Sequence, residues 1–283
     1  MKTKKVLSFL IVLILFLIPV DLWLGWENKA LVTTEIVVND ERIPSSFSGF
    51  RIVQVSDLHN TTFGWENKNL IKEIENAKPD IIVLTGDMVD TKRRDIDVVL
   101  SFAEKITPLA PVYFVTGNHD VKVFGREYLL EGLEKRDVVV LRNEKVTIEK
   151  NGEKITLMGI DDPKFLDDFM KGDDKTNTKN AIESLKGEDD SYTVLLAHRA
   201  EMLDVFASCS VDLVFAGHAH GGQVRLKSGG ILAPGQGWFP KYDAGLYEKD
   251  GIKMIVSRGL GNSTFPFRIN NRPEIVVAVL NSK

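Results

Sequence analysis

Residues 50–90 read FRIVQVSDLHNTTFGWENKNLIKEIENAKPDIIVLTGDMVD. The strand-like run RIVQVSD (51–57) precedes WENKNLIKEIENA (65–77), whose apolar residues recur at helical spacing. Pro79 marks a break, and DIIVLTGD (80–87) is a second strand-like run. Strand, amphipathic helix and strand in succession predict a βαβ unit. Both apolar runs end in polar chemistry: Asp57 and His59 close the first, and Asp87 closes the second.

The alternation continues downstream. RDIDVVLSFAEKI (94–106) and GREYLLEGLEKR (125–136) predict helices around the strand VYFVTGN (112–118). The second half is richer in strands: DVVVLRN (137–143), KVTIEK (145–150), KITLMGI (154–160), YTVLLAH (192–198), VDLVFAG (211–217), QVRL (223–226), KMIVSRG (253–259) and PEIVVAVLN (273–281). The polar stretch 167–191 predicts a helix flanked by surface loops. ALVTTEIVVND (30–40) predicts a strand, and ERIPSSFSGF (41–50) a connector. The expected class is α/β: a four-layer α-β-β-α sandwich of two facing mixed sheets, preceded by an N-terminal transmembrane helix.

Net charge is −4, with no dense Lys/Arg block beyond the extreme N-terminus, which argues against nucleic acid as a partner. The single cysteine, Cys209, excludes an intramolecular disulfide and reads as a small buried hydrophobe within VFASCSVDLVF. Nothing in the sequence fixes the oligomeric state.

MKTKK precedes the uncharged run VLSFLIVLILFLIPV (6–20). Fifteen residues of helix span only about 22 Å, short of a hydrocarbon core of about 30 Å. Extension to Trp26 adds one charge, Asp21, and two tryptophans suited to the interface, and makes the segment long enough. No A-x-A-like cleavage site and no twin-arginine pair are present. The expectation is a single-pass signal-anchor over residues 1–28, with Lys2, Lys4 and Lys5 cytoplasmic and the main domain outside; secretion after cleavage is the alternative. Residues 29–49 are expected to lead into a catalytic domain at 50–283.

All five histidines, His59, His119, His198, His218 and His220, lie just past apolar runs, and none falls in a helix-like or linker segment. With Asp57, Asp87 and Asn118 they place oxygen and imidazole donors at strand ends, where open α/β sheets bind ligands. Mixed O/N donors without thiolate favour Mn, Fe or Zn and disfavour a closed structural zinc site. Asp57, His59, Asp87, Asn118, His198, His218 and His220 are too many for one open catalytic metal, and they suit two metals sharing a carboxylate. Two-metal sites are typical of phosphate-ester chemistry.

The ordered set DLH, GDMVD, GNHD, a strand-end His and GHAH resembles the calcineurin-like metallophosphoesterases over Phe50 to Leu280. GHAHGGQVRL, APGQGWFPKYDAGLY, SRGLGNSTFPFRINNRPE and the N-terminal anchor are similar to the membrane-linked bacterial YkuE/YaeI-like branch. The resemblance implies that Asp57, His59 and His220 bind one divalent ion, that Asn118, His198 and His218 bind a second, and that Asp87 bridges them. It implies that His119 faces the substrate and assists the leaving oxygen, with Asp120 orienting it through a hydrogen bond. Where the family commonly has a proline two residues after the strand-end His, this chain has Ala200.

The chemistry so implied is attack on phosphorus by a hydroxide bridging the two ions, on an envelope or lipid-linked phosphodiester. The alternatives are a UDP-diacylglucosamine-type pyrophosphatase, a phosphomonoesterase, and a non-catalytic metal-binding scaffold. Arg142, Asn143 and Arg258 are candidate substrate contacts, with surface solvation as the competing role. Asp90, Asp161 and Asp162 are expected to cap turns. Gly217 is expected to relax the backbone before the His-x-His pair, and Gly221 and Gly222 to let the chain pass close to the site. Trp238, Phe239, Phe265 and Phe267 sit in Gly/Pro/Asn-rich segments, where core packing competes with an apolar site mouth facing the bilayer.

Overall fold

A computed structural model describes residues 2–165, 173–187, 190–263 and 265–283. Twelve strands form two sheets. In chain order they are β1 (Val32–Asp40), β2 (Arg51–Val55), β3 (Ile81–Thr85), β4 (Val112–Val115), β5 (Val138–Val140) and β6 (Glu144–Lys150). Then come β7 (Glu153–Gly159), β8 (Tyr192–Arg199), β9 (Leu213–Gly217), β10 (Gly245–Lys249), β11 (Ile252–Val256) and β12 (Glu274–Ser282). The first sheet runs β1-β12-β2-β3-β4-β5, and only its β12–β2 pair is antiparallel. The second runs β10-β11-β9-β8-β7-β6, antiparallel at its two outer pairs and parallel between them. Both sheets are therefore mixed.

Strand periodicity builds the layers. Ile52, Val83, Val194, Leu196 and Phe215 point into one apolar cluster shared by the two sheets. Their neighbours Val53, Leu84, Leu195 and Val214 point the other way, onto helices. Helices α2 (Lys68–Asn76), α3 (Ile96–Ile106) and α5 (Arg126–Glu134) cover the first sheet. Helices α6 (Asp174–Leu185) and α7 (Leu203–Ser208) cover the second, and buried Cys209 packs with them. The one-turn α4 (Asn118–Lys122) lies between α3 and α5 in the chain. The helix expected in the polar stretch is α6; the surface loops expected at residues 167–172 and 188–189 lie outside the described residues.

Three elements differ from expectation. The strand at 30–40 is not a lead-in: β1 pairs in parallel with the C-terminal strand along its whole length and forms the sheet edge. The helix expected from Trp65 starts as a 3-10 turn at Trp65–Asn67, because Glu66 and Asn67 take left-handed backbone. The hairpin β10–β11 also lacked a strand expectation for its first arm, GLYEK, where charged and small residues break the apolar pattern.

Helix α1 (Lys2–Glu27) stands apart from this core. Its residues from Ser8 to Glu27 are long and apolar enough to cross a membrane, and none of the apolar window is buried in the protein.

Phe215 is fully buried at the contact between the sheets. Phe215→Ala should lower the unfolding free energy by about 3–5 kcal/mol in a denaturant titration, the range for emptying an aromatic core position. A loss below about 1 kcal/mol would show that the sheets do not rely on this interface.

Candidate metal centre

The ligand candidates come from the ends of five strands. Asp57 and His59 follow β2, Asp87 follows β3, Asn118 and His119 follow β4, His198 lies in the last turn of β8, and His218 and His220 follow β9. All but Asn118 and His119 are buried. Asp57, His59, Asp87, His218 and His220 each adopt left-handed backbone, with φ between 46 and 67°. That region costs a non-glycine residue about 1–2 kcal/mol, so five such residues at one point mark a place where folding energy holds side chains inward. A bulge between Leu196 and Arg199 does the same for His198.

Two clusters result. Asp57, His59 and His220 place one donor atom each within 4.8 Å of one another, and so do Asp87, His198 and His218. The Asp87 carboxylate lies between them: its Oδ2 is 3.3 Å from His198 Nε2 and 3.6 Å from His59 Nε2. His59 Nε2 and His220 Nε2 are 3.1 Å apart, as are His218 Nδ1 and His198 Nε2. A third group, His59, Asp90 and His119, adjoins the first.

The residues fit divalent cations. Burial holds His59, His218 and His220 below the ordinary imidazole range, so they present lone pairs. Burial also opposes charge on His198, but the adjacent Asp87 outweighs it and pushes the ring up to about 10. Asn118 Oδ1 is buried without a hydrogen-bond partner among the described residues, an arrangement that is costly unless it serves as a ligand. His198 Nδ1 faces the Thr85 carbonyl at 2.8 Å, which leaves Nε2 free for ligation.

The supporting shell explains several sequence features. Asp57 accepts from the His218 amide at 3.1 Å on both oxygens and from Ser56 Oγ at 2.6 Å. Gly217 has no left-handed backbone, contrary to expectation; its need is space, because an added Cβ would collide with Ser56 Oγ and Asp57 Oδ2. Gly221 and Gly222 do take positive φ, and a Cβ at Gly221 would strike Asn271, whose Nδ2 holds the His220 carbonyl at 2.7 Å. Ala200 stands at the position of the family's usual proline, and its neighbour Arg199 forms a two-pronged bond to buried Asp162 at 2.7 and 3.0 Å that holds the turn after His198.

His119 lies beside the clusters, its ring edge-on to His59 at 4.7 Å. Asp120 does not orient it. The two Asp120 oxygens accept the amides of Val89 and Gly117, both at 3.0 Å, so this carboxylate ties two loops together. The partner of His119 Nδ1 is Thr91, whose amide and hydroxyl both lie 3.3 Å from it, and Nε2 lies 3.2 Å from Ser263 Oγ. Thr91 and Ser263 carry no sequence signal; only the fold brings them there.

The substrate-contact candidates are held elsewhere. Arg142 and Asn143 both reach Asp161, at 3.3 and 3.4 Å, and the Arg142 guanidinium stacks 3.9 Å from the Phe165 ring. Arg258 pairs with buried Glu274 at 2.8 Å. Each therefore has a carboxylate partner, and each keeps part of its surface exposed. Asp90 caps its turn through the amides of Lys92 and Arg93, while its Oδ2 lies 3.6 Å from His59 Nδ1.

If Asp87 serves both clusters, purified protein should carry about two divalent ions per chain, and Asp87→Asn should lower the affinity for both. Asp57→Asn should mainly lower one. Metal analysis with calorimetric titration checks this, and a single tight site in the wild type would contradict it.

The sequence profile of the calcineurin-like phosphoesterases matches residues 50–222. The chain is 32% identical over 263 residues to the metallophosphoesterase YkuE of Bacillus subtilis, covering 90% of this chain and 87% of that protein. It is 30% identical over 261 residues to a metallophosphoesterase of Aquifex aeolicus, covering 91% and 94%. The sulfate thiohydrolase SoxB of Thermus thermophilus superposes with a TM-score of 0.51 at 13% identity, over 83% of this chain and 57% of that one. At that identity the likeness is one of fold. Enzymes of this family use two divalent metals, and the buried His/Asp clusters suit such a centre. With its strand-end donors, its mixed sheets and these relatives, the chain belongs to the calcineurin-like metallophosphoesterase family.

Proposed function

We propose that this metallophosphoesterase is anchored in the cell membrane and cleaves a phosphodiester or pyrophosphate bond of an envelope or lipid-linked substrate. The observation that carries the reaction is Asp87, whose carboxylate stands between two histidine clusters. On this reading Asp57, His59 and His220 hold one ion, Asn118, His198 and His218 the other, and Asp87 both. Bound there, the ions supply an activated water and neutralise charge on phosphoryl oxygens.

His119 supplies the proton: as the imidazolium it would donate Nδ1–H to Thr91 Oγ1, 3.3 Å away, and direct Nε2–H toward the side of Ser263, returning to neutral imidazole as the leaving oxygen is protonated. General acid catalysis commonly contributes about 10²–10⁴-fold and matters most for a basic leaving oxygen. His119→Ala should therefore keep its metals and lose far more rate on an alkyl phosphodiester than on a nitrophenyl one. Equal losses with metals retained would assign His119 to charge stabilisation, and loss of metal would make it a ligand.

Support for the anchor comes from α1, apolar and uncovered, with Lys2, Lys4 and Lys5 at its start. The positive-inside rule then puts the catalytic domain outside the cytoplasm. Support for a lipid-linked substrate comes from the rim. Core packing does not apply to Trp238 and Phe239, each 71% exposed, or to Phe265 and Phe267, which are also exposed. Leu232, itself exposed, pairs with Trp238 across a short ladder, and Phe265 lies against Phe267. Two exposed apolar pairs of this kind suit contact with an acyl chain or membrane surface.

Glu27 and Asn28 belong to the site side of this junction: Glu27 accepts from the Asn271 amide at 3.2 Å, and Asn28 bonds Pro266, Asn262 and Arg268. A truncation that tests the anchor should therefore stop at residue 25. It should spare hydrolysis of soluble diesters and reduce hydrolysis of a lipid phosphodiester in vesicles. Equal losses on both would show that α1 serves folding instead.

A further inference from the structure

A cavity of about 320 Å³ opens beside His119, between the end of α1 and the loops after β3 and β11. Asn28, Lys29, Asp90, Lys92, Arg93 and Ser263 contribute to its wall. Ser263 is the residue that meets His119 Nε2, so the cavity begins where the leaving oxygen would depart.

The wall is cationic. Lys29, Lys92 and Arg93 face one carboxylate, Asp90, which accepts two amides, lies near His59 and pairs with Arg93 at 3.7 Å, leaving two of the three cations without a carboxylate partner in the wall. Two of the cations are held in place. Lys29 Nζ donates to the Thr62 carbonyl at 2.8 Å and lies 5.4 Å from the Phe63 ring centre. Arg93 donates to the Asn262 carbonyl at 2.8 Å. Partial desolvation and the nearby Arg93 charge lower the pKa of Lys29, so these like charges are crowded. The Lys92 ammonium has no hydrogen-bond or ion-pair partner among the described residues. All three residues are exposed, yet they converge on a concavity that adjoins the reacting centre, and an anion would relieve their repulsion.

We propose that Lys29, Lys92 and Arg93 form a subsite for a second anionic group on the leaving portion of the substrate, of phosphate-like chemistry, so that the enzyme prefers doubly anionic substrates. The assignment rests on the phosphoesterase reading, with His119 on the leaving side. Lys29 follows the last residue of α1 by two positions. With α1 in a bilayer, the subsite lies at headgroup level, and the second anion belongs either to a lipid headgroup or to a soluble phosphorylated group.

The test uses the full chain in detergent, loaded with Mn²⁺, and two diesters: methyl glycerol phosphodiester and the same compound phosphorylated on its glycerol. The wild type should show the higher kcat/KM on the phosphorylated diester. Lys92→Gln and Lys29→Gln should each cut that preference about tenfold, the scale of one charge-assisted hydrogen bond, and Lys92→Arg should restore it. A parallel pair on diacyl lipid in phosphatidylcholine vesicles identifies the source: a preference seen only there assigns the subsite to a lipid headgroup. The absence of preference on both pairs, or equal losses on both members of a pair, would overturn the subsite. Hydrolysis of neither diester in either format would overturn the phosphoesterase reading, and the subsite with it.

Discussion

The amide of His218 donates to the carboxylate of Asp57, and this bond joins the two sheets where their strands end. Asp57 follows β2 of the first sheet, and His218 follows β9 of the second. Without that approach the histidines would belong to separate surfaces. The approach has steric terms: Ser56, Gly217 and Gly259 leave no room for an extra methyl around Asp57. Just inside it, Gln54 donates to Thr85 within its own sheet and to the Ala216 carbonyl across the interface, at 2.9 and 2.8 Å. Both Gln54 N–H donors are thus placed, one in each sheet, although Oε1 has no partner among the described residues, and this contact sets the register of one sheet against the other.

The strained backbone follows from the same constraint. A strand end delivers side chains to alternate faces, but a dinuclear centre needs every donor aimed at one point. Left-handed conformations at Asp57, His59, Asp87, His218 and His220 supply that reorientation. Their cost is spread over loops that the sheets and the Asp57–His218 bond hold rigid, which is how strained residues persist at a site. The short motifs at strand ends are the sequence record of that constraint.

That record explains what was legible. Apolar runs of strand length ending in Asp or His are local signals, and the βαβ alternation around residues 50–136 appears as strands and helices at nearly the positions expected. Long-range partnerships leave no such trace. The parallel pairing of β1 with β12 joins segments more than two hundred residues apart, and neither run differs from an ordinary strand. Thr91 meets His119 only because the loops after β3 and β4 are stitched by Asp120. Asp120 itself shows the hazard of adjacency: next to His119 in the chain, its carboxylate is turned to backbone amides instead. The exposure of Trp238 and Phe239 was also hidden, since aromatic residues in a Gly-rich loop read equally as core or as rim.

The junction between α1 and the catalytic domain is built from the same loops that shape the site. Asn271 holds the His220 carbonyl with its side chain and donates its amide to Glu27 at the helix end. Arg268, fully buried, donates to the carbonyls of Arg258, Gly261 and Asn271, while its amide is held by Asn28. Arg272 reaches the carbonyls of Ala30 and Leu31 and stacks on Trp26 at 4.9 Å. A helix tethered only by a flexible linker would leave the domain free to tumble above a membrane. This one ends in a net of bonds that shares Asn271 with the support of the His220 carbonyl. If α1 lies in the bilayer, its direction therefore sets the direction of the cavity beside His119, and the rim carrying Phe265 and Phe267 is held on the helix side of the domain by the Asn28–Pro266 bond. Anchoring and substrate access are then one structural feature, because a single loop, residues 257–273, supplies both.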